Sequence, residues 1–277
     1  MPELRDAFAA DGFAIARGLI APAALDEVRA DLERIFAQQV ARTGASPAAG
    51  DDALTGLATA LFQADRAAYL AAAKLAQHAA SLHRLSLGDP ILDALRDLGL
   101  ALPTVCTRPV LHIMADALRI EGGYHKTPPH QDWRSTQGSL DSVIVWLPFA
   151  DVRRDGYPLE VIPGSHRRGL LPSVDDPFGH RVAEGVVADE EFRPLEVDKG
   201  DAVLLSTFTV HRTGARGGER VRLAGSFRFN NAAEPSFVAR NYPNPYVYRP
   251  DMRLLQEGFP TPADVAAALG TGEPRRR

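Results

Sequence analysis

Apolar positions in the first hundred residues recur at helical spacing. In the stretch APAALDEVRADLERIFAQQV they stand three or four positions apart, at Leu25, Val28, Leu32, Ile35 and Phe36. This spacing places them on one face of an amphipathic helix that begins at Pro22. The Ala- and Leu-rich run 52–87 predicts one or two further helices, and DPILDALRDLGL predicts a short last one that ends near Gly99.

After Pro103 the pattern changes to short runs rich in valine, isoleucine and phenylalanine, separated by the turn signals EGG, RRDG, PGS and DKGD. The run DSVIVWLPF is apolar at both its odd and its even positions, which predicts a strand buried on both faces. The run RVRLAGSFRFN alternates, which predicts a strand with one apolar and one polar face. Its apolar positions are Val221, Leu223, Phe227 and Phe229, and its polar positions are Arg220, Arg222, Ser226, Arg228 and Asn230.

These patterns predict an α+β fold in which N-terminal helices pack on a sheet. The sequence contains no internal repeat, low-complexity tract or long linker, so we expect one domain over 1–277. Within it we expect a helical flank at 1–100, a strand core at 101–232 and a C-terminal extension at 233–277. The segment 172–193 is predicted to be a loop, either a lid or a surface excursion. Whether the aromatic stretch NYPNPYVYRP closes a cavity or forms a subunit contact stays open.

Composition narrows the classes of partner. The net charge is -4 with 31 basic and 35 acidic residues and no basic stripe, which argues against a nucleic-acid partner. Cys106 is the only cysteine, so an internal disulfide framework is excluded and a cytoplasmic location is expected. We also expect no membrane partner, because the N-terminus lacks a secretory-signal layout and no apolar run approaches the ~18 residues of a membrane span.

The stretch KTPPHQDW contains the first candidate metal ligands. In an extended strand, His130 and Asp132 would point to the same face, while Gln131 would point away. The two preceding prolines suit the start of a strand. Two histidines and one carboxylate form the facial triad of non-haem Fe(II) oxygenases. Alone, however, the pair also fits a hydrogen-bonded surface pair, and a third ligand is needed.

His211 is the strongest candidate for the third ligand, because it shares a strand face with Thr207 and Thr209 after an apolar run. A buried core histidine is the alternative interpretation. His78 and His83 lie in the helical region, and the other histidines lie in strand or loop contexts, at His112, His125, His166 and His180.

A candidate carboxylate-binding pair follows His211. Arg222, on the polar face of the next strand, can bind a carboxylate through two parallel hydrogen bonds, and Thr213 can add a hydroxyl donor. Arg220 and Arg228 share the face of Arg222 and could anchor the carboxylate instead.

The order of these motifs resembles the phytanoyl-CoA dioxygenase family of Fe(II)/2-oxoglutarate-dependent oxygenases over roughly Phe8 to Asn231. The shared order is H-x-D, a buried strand with Trp146, VIPGSH, KGDAVLL and then His211, followed two residues later by Thr213 and eleven residues later by Arg222. The resemblance implies a double-stranded β-helix, a cupin-like jelly roll, that carries one Fe(II).

The same resemblance implies roles for individual residues. His130, Asp132 and His211 would be the metal ligands and so the catalytic centre. Arg222 and Thr213 would hold the distal carboxylate of 2-oxoglutarate. Further residues implied near this co-substrate are Trp146 and Gln131.

The implied reaction consumes O2, decarboxylates 2-oxoglutarate to succinate and hydroxylates a small metabolite or biosynthetic intermediate. Hydroxylation is favoured over halogenation, because related halogenases have a small residue where this chain has Asp132. Two alternatives stay open: desaturation, epimerisation or cyclisation with the same cofactors, and a cupin-like binding module without catalysis. The sequence does not predict the substrate, because selectivity lies in loops, or the oligomeric state.

Overall fold

The computed structural model of the chain describes residues 2–47, 52–120, 126–246, 261 and 264. The predicted apolar stripe forms helix α2, Pro22–Thr43. Pro22 lies in its first turn, and Gly44 ends it in the left-handed conformation with φ 68°, where its N–H bonds to the carbonyl of Ala41. Ile35 is partly buried, and the rest of the stripe is fully buried.

Seven further helices accompany α2 in the part of the chain that the structure describes. They are α1 (Pro2–Asp11), α3 (Ala53–Ala64), α4 (Arg66–Ala76), α5 (Ala80–Ser86), α6 (Asp89–Asp97), α7 (Trp133–Thr136) and α8 (Pro235–Ala239). The run 52–87 therefore forms three helices and not one or two. Asp65 separates α3 from α4, because its carboxylate accepts a 2.9 Å hydrogen bond from the N–H of Ala68 and caps α4.

The strands form antiparallel sheets, which confirms the predicted mixture of helices and sheet. The six-stranded sheet has the order β1-β9-β4-β11-β2, with β3 also paired to β11; the second sheet has the order β10-β5-β8, and β6 pairs with β7. The strands are β1 (Phe13–Ala16), β2 (Pro103–Val105), β3 (Val110–Met114), β4 (Val143–Pro148), β5 (Leu159–Val161), β6 (Ser173–Asp176), β7 (Gly179–Val182), β8 (Arg193–Leu195), β9 (Ala202–Ser206), β10 (His211–Thr213) and β11 (Arg222–Asn231).

The central strand β4 is buried on both faces, as its sequence predicts. Val143, Val145 and Leu147 join a core that the helices cover, whereas Ile144 and Trp146 join a second core shared with β5 and β8. The alternation arises because successive side chains of a strand point to opposite faces. The six-stranded sheet thus has a helix face and a cavity face.

Strand β11 follows the predicted alternation. Leu223, Phe227 and Phe229 lie in the helix-covered core, and Arg222 and Arg228 point to the cavity face. Because both faces are buried, the arginines of this strand are removed from bulk water. A charge in such surroundings needs a partner, which makes this face the place to look for a site.

The first hundred residues are not purely helical, because β1 pairs with β9 along the edge of the main sheet. The tight turn before β1 uses Gly12 at φ 78°, where an added Cβ would meet the ring of His166 and lie 2.6 Å from Thr209 Oγ1. A strand this short is held by pairing with β9, an interaction that local periodicity does not reveal.

The segment 172–193 is not the predicted loop. It contains the β6–β7 hairpin and a 3-10 turn at Asp189–Glu191. Its polar, acidic sequence lacks the apolar alternation of a half-buried strand, and of the hairpin strands only Val182 is fully buried.

These helices and strands all fall within residues 1–246. The predicted domain boundaries stay predictions. Of the aromatic stretch 241–250, only 241–246 is described. Among the described helices, none has the length and apolar character needed to cross a membrane.

Candidate metal centre and its cavity

His130, Asp132 and His211 converge in the structure. Each offers one ligand atom, these atoms all lie within 4.8 Å of one another, and all three residues are buried. The set combines two imidazoles with one carboxylate, the donor combination of a facial triad, so it could hold a metal ion with positions left open for other ligands.

A backbone bridge brings the distant histidine to the H-x-D motif. The N–H of His130 donates to the carbonyl of His211 at 3.0 Å, and the N–H of His211 donates to the carbonyl of His130 at 3.1 Å. The two residues are therefore a directly opposed antiparallel pair, and their ring centroids lie 4.1 Å apart.

The predicted extended geometry of the motif is wrong at Asp132. Its φ of -66° and ψ of -24° are helical, and it directly precedes α7. The chain turns here because Trp133 begins α7 and donates its N–H to the carbonyl of Thr207 at 3.0 Å. The carboxylate still reaches the cluster, with Oδ1 at 3.3 Å from His130 Nε2.

Backbone carbonyls orient both histidine rings. His130 Nδ1 lies 2.8 Å from the carbonyl of Pro128, and His211 Nδ1 lies 2.9 Å from the carbonyl of Thr209. A carbonyl oxygen only accepts, so each Nδ1 donates, and Nε2 is the ring nitrogen left to face a metal ion. This second hydrogen bond is the usual way in which a protein orients a metal-binding histidine.

Arg228 balances the charge of the carboxylate. Its Nε donates to Asp132 Oδ2 at 2.7 Å. Burial raises the pKa of Asp132, but Arg228 and the His130 ring outweigh burial and hold that pKa well below its ordinary value. Burial and the neighbouring His130 lower the pKa of His211 to about 3, so its imidazole is neutral. The Asp132 carboxylate and the His211 imidazole are thus in the protonation states that metal binding needs.

The cluster opens onto a cavity that also contains Arg222, Thr213 and Trp146. The Arg222 guanidinium lies 5.6 Å from the Trp146 ring centroid, and its Nη2 donates to Met114 Sδ at 2.9 Å.

The structure also separates the two other arginines that the sequence predicted on this face. Arg228 lies in the cavity but pairs with Asp132, whereas Arg220 is exposed and contacts Asp52 at 3.6 Å outside it. Of the three arginines, Arg222 and Arg228 therefore line the cavity, and Arg228 is the one paired with the cluster carboxylate.

Gln131 does not line this cavity. Its side-chain N–H groups donate to the carbonyls of Gly169 and Phe208 at 2.8 and 2.7 Å, and its Oε1 accepts from the N–H of Leu171 at 2.7 Å. The buried amide is thus committed to the backbone, and it fixes two loops behind the metal cluster. The expected position of Gln131 near a co-substrate gains no support from this cavity lining and stays a prediction.

His112 and Phe178 are among the cavity residues that were not assigned from the sequence. His112 pairs with Ala224 in the β3–β11 register, which places its side chain on the face of Arg222 and Arg228. Burial and these arginines lower the pKa of His112 to about 3. Phe178, in the β6–β7 turn, lies with its ring centroid 4.8 Å from that of His130. The alternation within VLHIM would have indicated the cavity position of His112 only if the register of this strand with β11 had been known.

The remaining histidines that the structure describes contribute nothing to the cluster. His180 Nε2 lies 3.1 Å from the carbonyl of Gln131, and His166 Nδ1 is buried in the 3-10 turn Ser165–Arg168. His78 and His83 contact each other in the helical region. His125 lies outside the described residues.

The family described as phytanoyl-CoA dioxygenase (PhyH) matches residues 8–224 of this chain. No curated protein matches it in sequence.

Several solved structures share its fold. The epimerase SnoN in complex with Fe3+, alpha ketoglutarate and nogalamycin RO has a TM-score of 0.60 at 17% identity, covering 91% of this chain and 93% of SnoN. EvdO2 from Micromonospora carbonacea var. aurantiaca, complexed with 2-oxoglutarate, has a TM-score of 0.53 at 17% identity, covering 83% and 90%. The carbocyclase SnoK has a TM-score of 0.53 at 15% identity, covering 90% and 94%.

Proposed function

The chain belongs to the phytanoyl-CoA dioxygenase family, whose members depend on Fe(II) and 2-oxoglutarate, and from that premise we propose that it hydroxylates a small metabolite or biosynthetic intermediate. The observation that supports this most strongly is the convergence of His130, Asp132 and His211 on a cavity that contains Arg222. The double-stranded β-helix is the fold we propose for its two larger sheets.

In this proposal Nε2 of His130, Nε2 of His211 and one carboxylate oxygen of Asp132 hold the iron. The fit rests on three features of the site: both Nδ1 atoms are occupied by backbone carbonyls, the carboxylate is ionised, and all three side chains are buried. Arg228 keeps the carboxylate oriented through its hydrogen bond to Oδ2. The ligands are thus in place before the metal arrives.

Arg222 and Thr213 bind the distal carboxylate of 2-oxoglutarate in this proposal. A buried guanidinium favours such a ligand, because its planar N–H groups match a carboxylate and bring the charge that compensates it. Trp146 forms one wall of the cavity beside that guanidinium.

Bound Fe(II) would supply the oxidative chemistry, in which O2 gives one oxygen atom to succinate, with release of carbon dioxide, and the other to the substrate. The residues of this chain bind and orient the ligands, and they exclude water from the cavity. Ile144, Leu159 and Leu205 give the cavity an apolar wall, and Phe178 covers His130. An apolar wall strengthens the electrostatic contacts inside and limits side reactions with water.

A second outcome with the same cofactors is supported by the relatives, since SnoN is described as an epimerase and SnoK as a carbocyclase. Product mass on the true substrate separates the outcomes. Hydroxylation adds one oxygen atom, desaturation or ring closure removes two hydrogens, and epimerisation leaves the mass unchanged. Because Asp132 fills the third ligand position, we do not propose halogenation.

The function is tested by anaerobic reconstitution with Fe(II) and 2-oxoglutarate, followed by admission of O2. We expect one iron per chain and succinate in equal amount to carbon dioxide, with none formed by Zn(II)-loaded protein. Failure to bind iron, or binding without succinate formation across a metabolite panel, would favour a non-catalytic cupin-like module. We retain the cytoplasm as the proposed location, because the one cysteine, Cys106, is a buried free thiol.

A further inference from the structure

A second cavity lies between helix α4 and strand β3, beside the metal cavity. Its volume is ≈ 400 Å³, within the range of about 300–1,000 Å³ usual for small-molecule sites. Helix α4 contributes Tyr69, Leu70 and Ala73 to its lining, and strand β3 contributes residues that include Val110 and Ile113. The wall is therefore mostly apolar.

The two cavities meet at His112 and Phe178, which line both of them. Among the described residues no group hydrogen-bonds to the His112 ring, although the ring lies between the two arginines of β11 and the apolar cavity. A neutral imidazole offers one donor and one acceptor, so a ligand group at this junction would find a partner there. An apolar ligand lacking such a group would leave the ring unsatisfied.

We propose that this second cavity binds the substrate, and that the substrate is a largely apolar molecule of metabolite size with a hydroxyl or carbonyl group that bonds to His112. This inference rests on the proposed function. The body of the molecule lies between α4 and β3, and the carbon to be oxidised reaches the metal cavity past His112 and Phe178.

The charges of the cavity argue against a strongly polar substrate. Among the described residues that line the cavity, Lys74 is the one lysine or arginine. Lys74 is solvent-exposed, so it lies at the rim of the cavity. A sugar or an amino acid would lose many hydrogen bonds to water on entering this site and regain few of them. An apolar body gains free energy in proportion to the area it buries, about 25 cal/mol per Å².

The position of the site is tested with 2-naphthol as the probe, on protein loaded with Mn(II) or with diamagnetic Zn(II). We expect the proton signals of bound 2-naphthol to broaden in the Mn(II) protein and not in the Zn(II) protein. Ala73→Phe should remove the broadening by filling the cavity. Ala71→Phe, an exposed position of the same helix outside the cavity, is the matched control and should leave the broadening unchanged.

A second pair of variants distinguishes loss of the cavity from misfolding of the protein. Leu70 lines the cavity and is 40% exposed, whereas Leu75 is 60% exposed and does not line it. We expect Leu70→Trp to weaken 2-naphthol binding and Leu75→Trp to leave it unchanged. Failure of 2-naphthol to bind, broadening that survives both Ala73→Phe and Leu70→Trp, or binding without Mn(II)-dependent broadening would overturn the inference.

The role of His112 is tested by comparing 2-naphthol with naphthalene. His112→Phe keeps an aromatic ring and removes the hydrogen bond, so it should weaken 2-naphthol binding by about 3- to 10-fold and leave naphthalene binding unchanged. Equal weakening of both probes would contradict the hydrogen bond. Mn(II) loading and 2-oxoglutarate turnover without a substrate report on the proposed function separately, so its failure is distinguishable from failure of this inference.

Discussion

The two faces of the six-stranded sheet carry different kinds of residue on the same strands. Towards the helices, β11 presents Leu223, Phe227 and Phe229, whereas towards the cavity it presents Arg222 and Arg228. Both faces are buried, so exposure does not separate them. Whether a residue of this strand packs in the core or faces the cavity depends on its odd or even position along the strand. A slip of one residue in register would exchange the core-facing and cavity-facing residues.

The largest effect is expected on the cavity side, from loss of a metal ligand. Asp132→Ala removes the one carboxylate of the cluster and leaves Arg228 buried without its partner. We expect 2-oxoglutarate turnover to be abolished, and iron affinity to fall by more than the roughly 10- to 100-fold cost of losing an outer hydrogen-bond partner. An anaerobic metal titration measures the affinity.

The control for this variant is Asp175→Ala, which removes an exposed carboxylate from β6. Iron affinity and turnover should match the unmodified protein. Full turnover with bound iron in Asp132→Ala would show that this carboxylate is not a ligand.

On the helix face the expected effect is on stability. Phe227 is 2% exposed, and Phe227→Ala should lower the free energy of unfolding by about 3–5 kcal/mol, because it leaves a cavity in the core. Urea denaturation measures this, and the KM for 2-oxoglutarate of the folded protein should stay unchanged. Ser226→Ala, one residue earlier on the cavity face, should cost much less stability. Equal losses would contradict the division between the faces.

Arg222→Met should raise the KM for 2-oxoglutarate by about 10- to 100-fold, since hydrogen bonds to a charged group contribute about 1.5–3 kcal/mol. Iron affinity should not change. Arg220→Met is the matched control two residues before β11, because Arg220 is exposed and contacts Asp52. An equal rise in KM in both variants would contradict the assignment of Arg222 as the residue that binds 2-oxoglutarate.

The smallest effect is expected for the positioning residue Arg228. Arg228→Gln should weaken iron binding by about 10-fold, at the lower end of the range for outer hydrogen-bond partners, with little change in melting temperature. Arg228→Lys, which keeps the positive charge, should restore part of the affinity. A fall in melting temperature without any change in iron affinity would instead assign Arg228 a purely structural role.

Much of the difference between the two faces of the sheet can be predicted from the sequence, because alternating patterns show which residues of a strand share a face. The alternation of β11 and the two-sided burial of β4 are both as predicted. His130, Asp132 and His211 do converge, but the helical conformation of Asp132 follows from the α7 turn, a tertiary feature. Strand β1 was missed for a related reason, since its pairing partner β9 lies far along the chain.

The contacts at the site that local patterns do not reveal have the same origin. Gln131 stands between two cluster residues in sequence, yet its amide bonds to loop carbonyls that no local pattern connects to it. His112 lies in the cavity because of its register with Ala224. Phe178 reaches His130 because a polar segment folds into a hairpin. Each contact depends on strand pairing or loop packing over long sequence separations.

The central claim is that three side chains hold one ferrous ion beside an arginine that binds 2-oxoglutarate. A crystal structure of the protein grown anaerobically with Fe(II) and 2-oxoglutarate tests it most directly. We expect iron bound by Nε2 of His130, Nε2 of His211 and a carboxylate oxygen of Asp132, with the distal carboxylate of 2-oxoglutarate on Arg222. Iron bound elsewhere, or 2-oxoglutarate bound away from Arg222, would contradict the account.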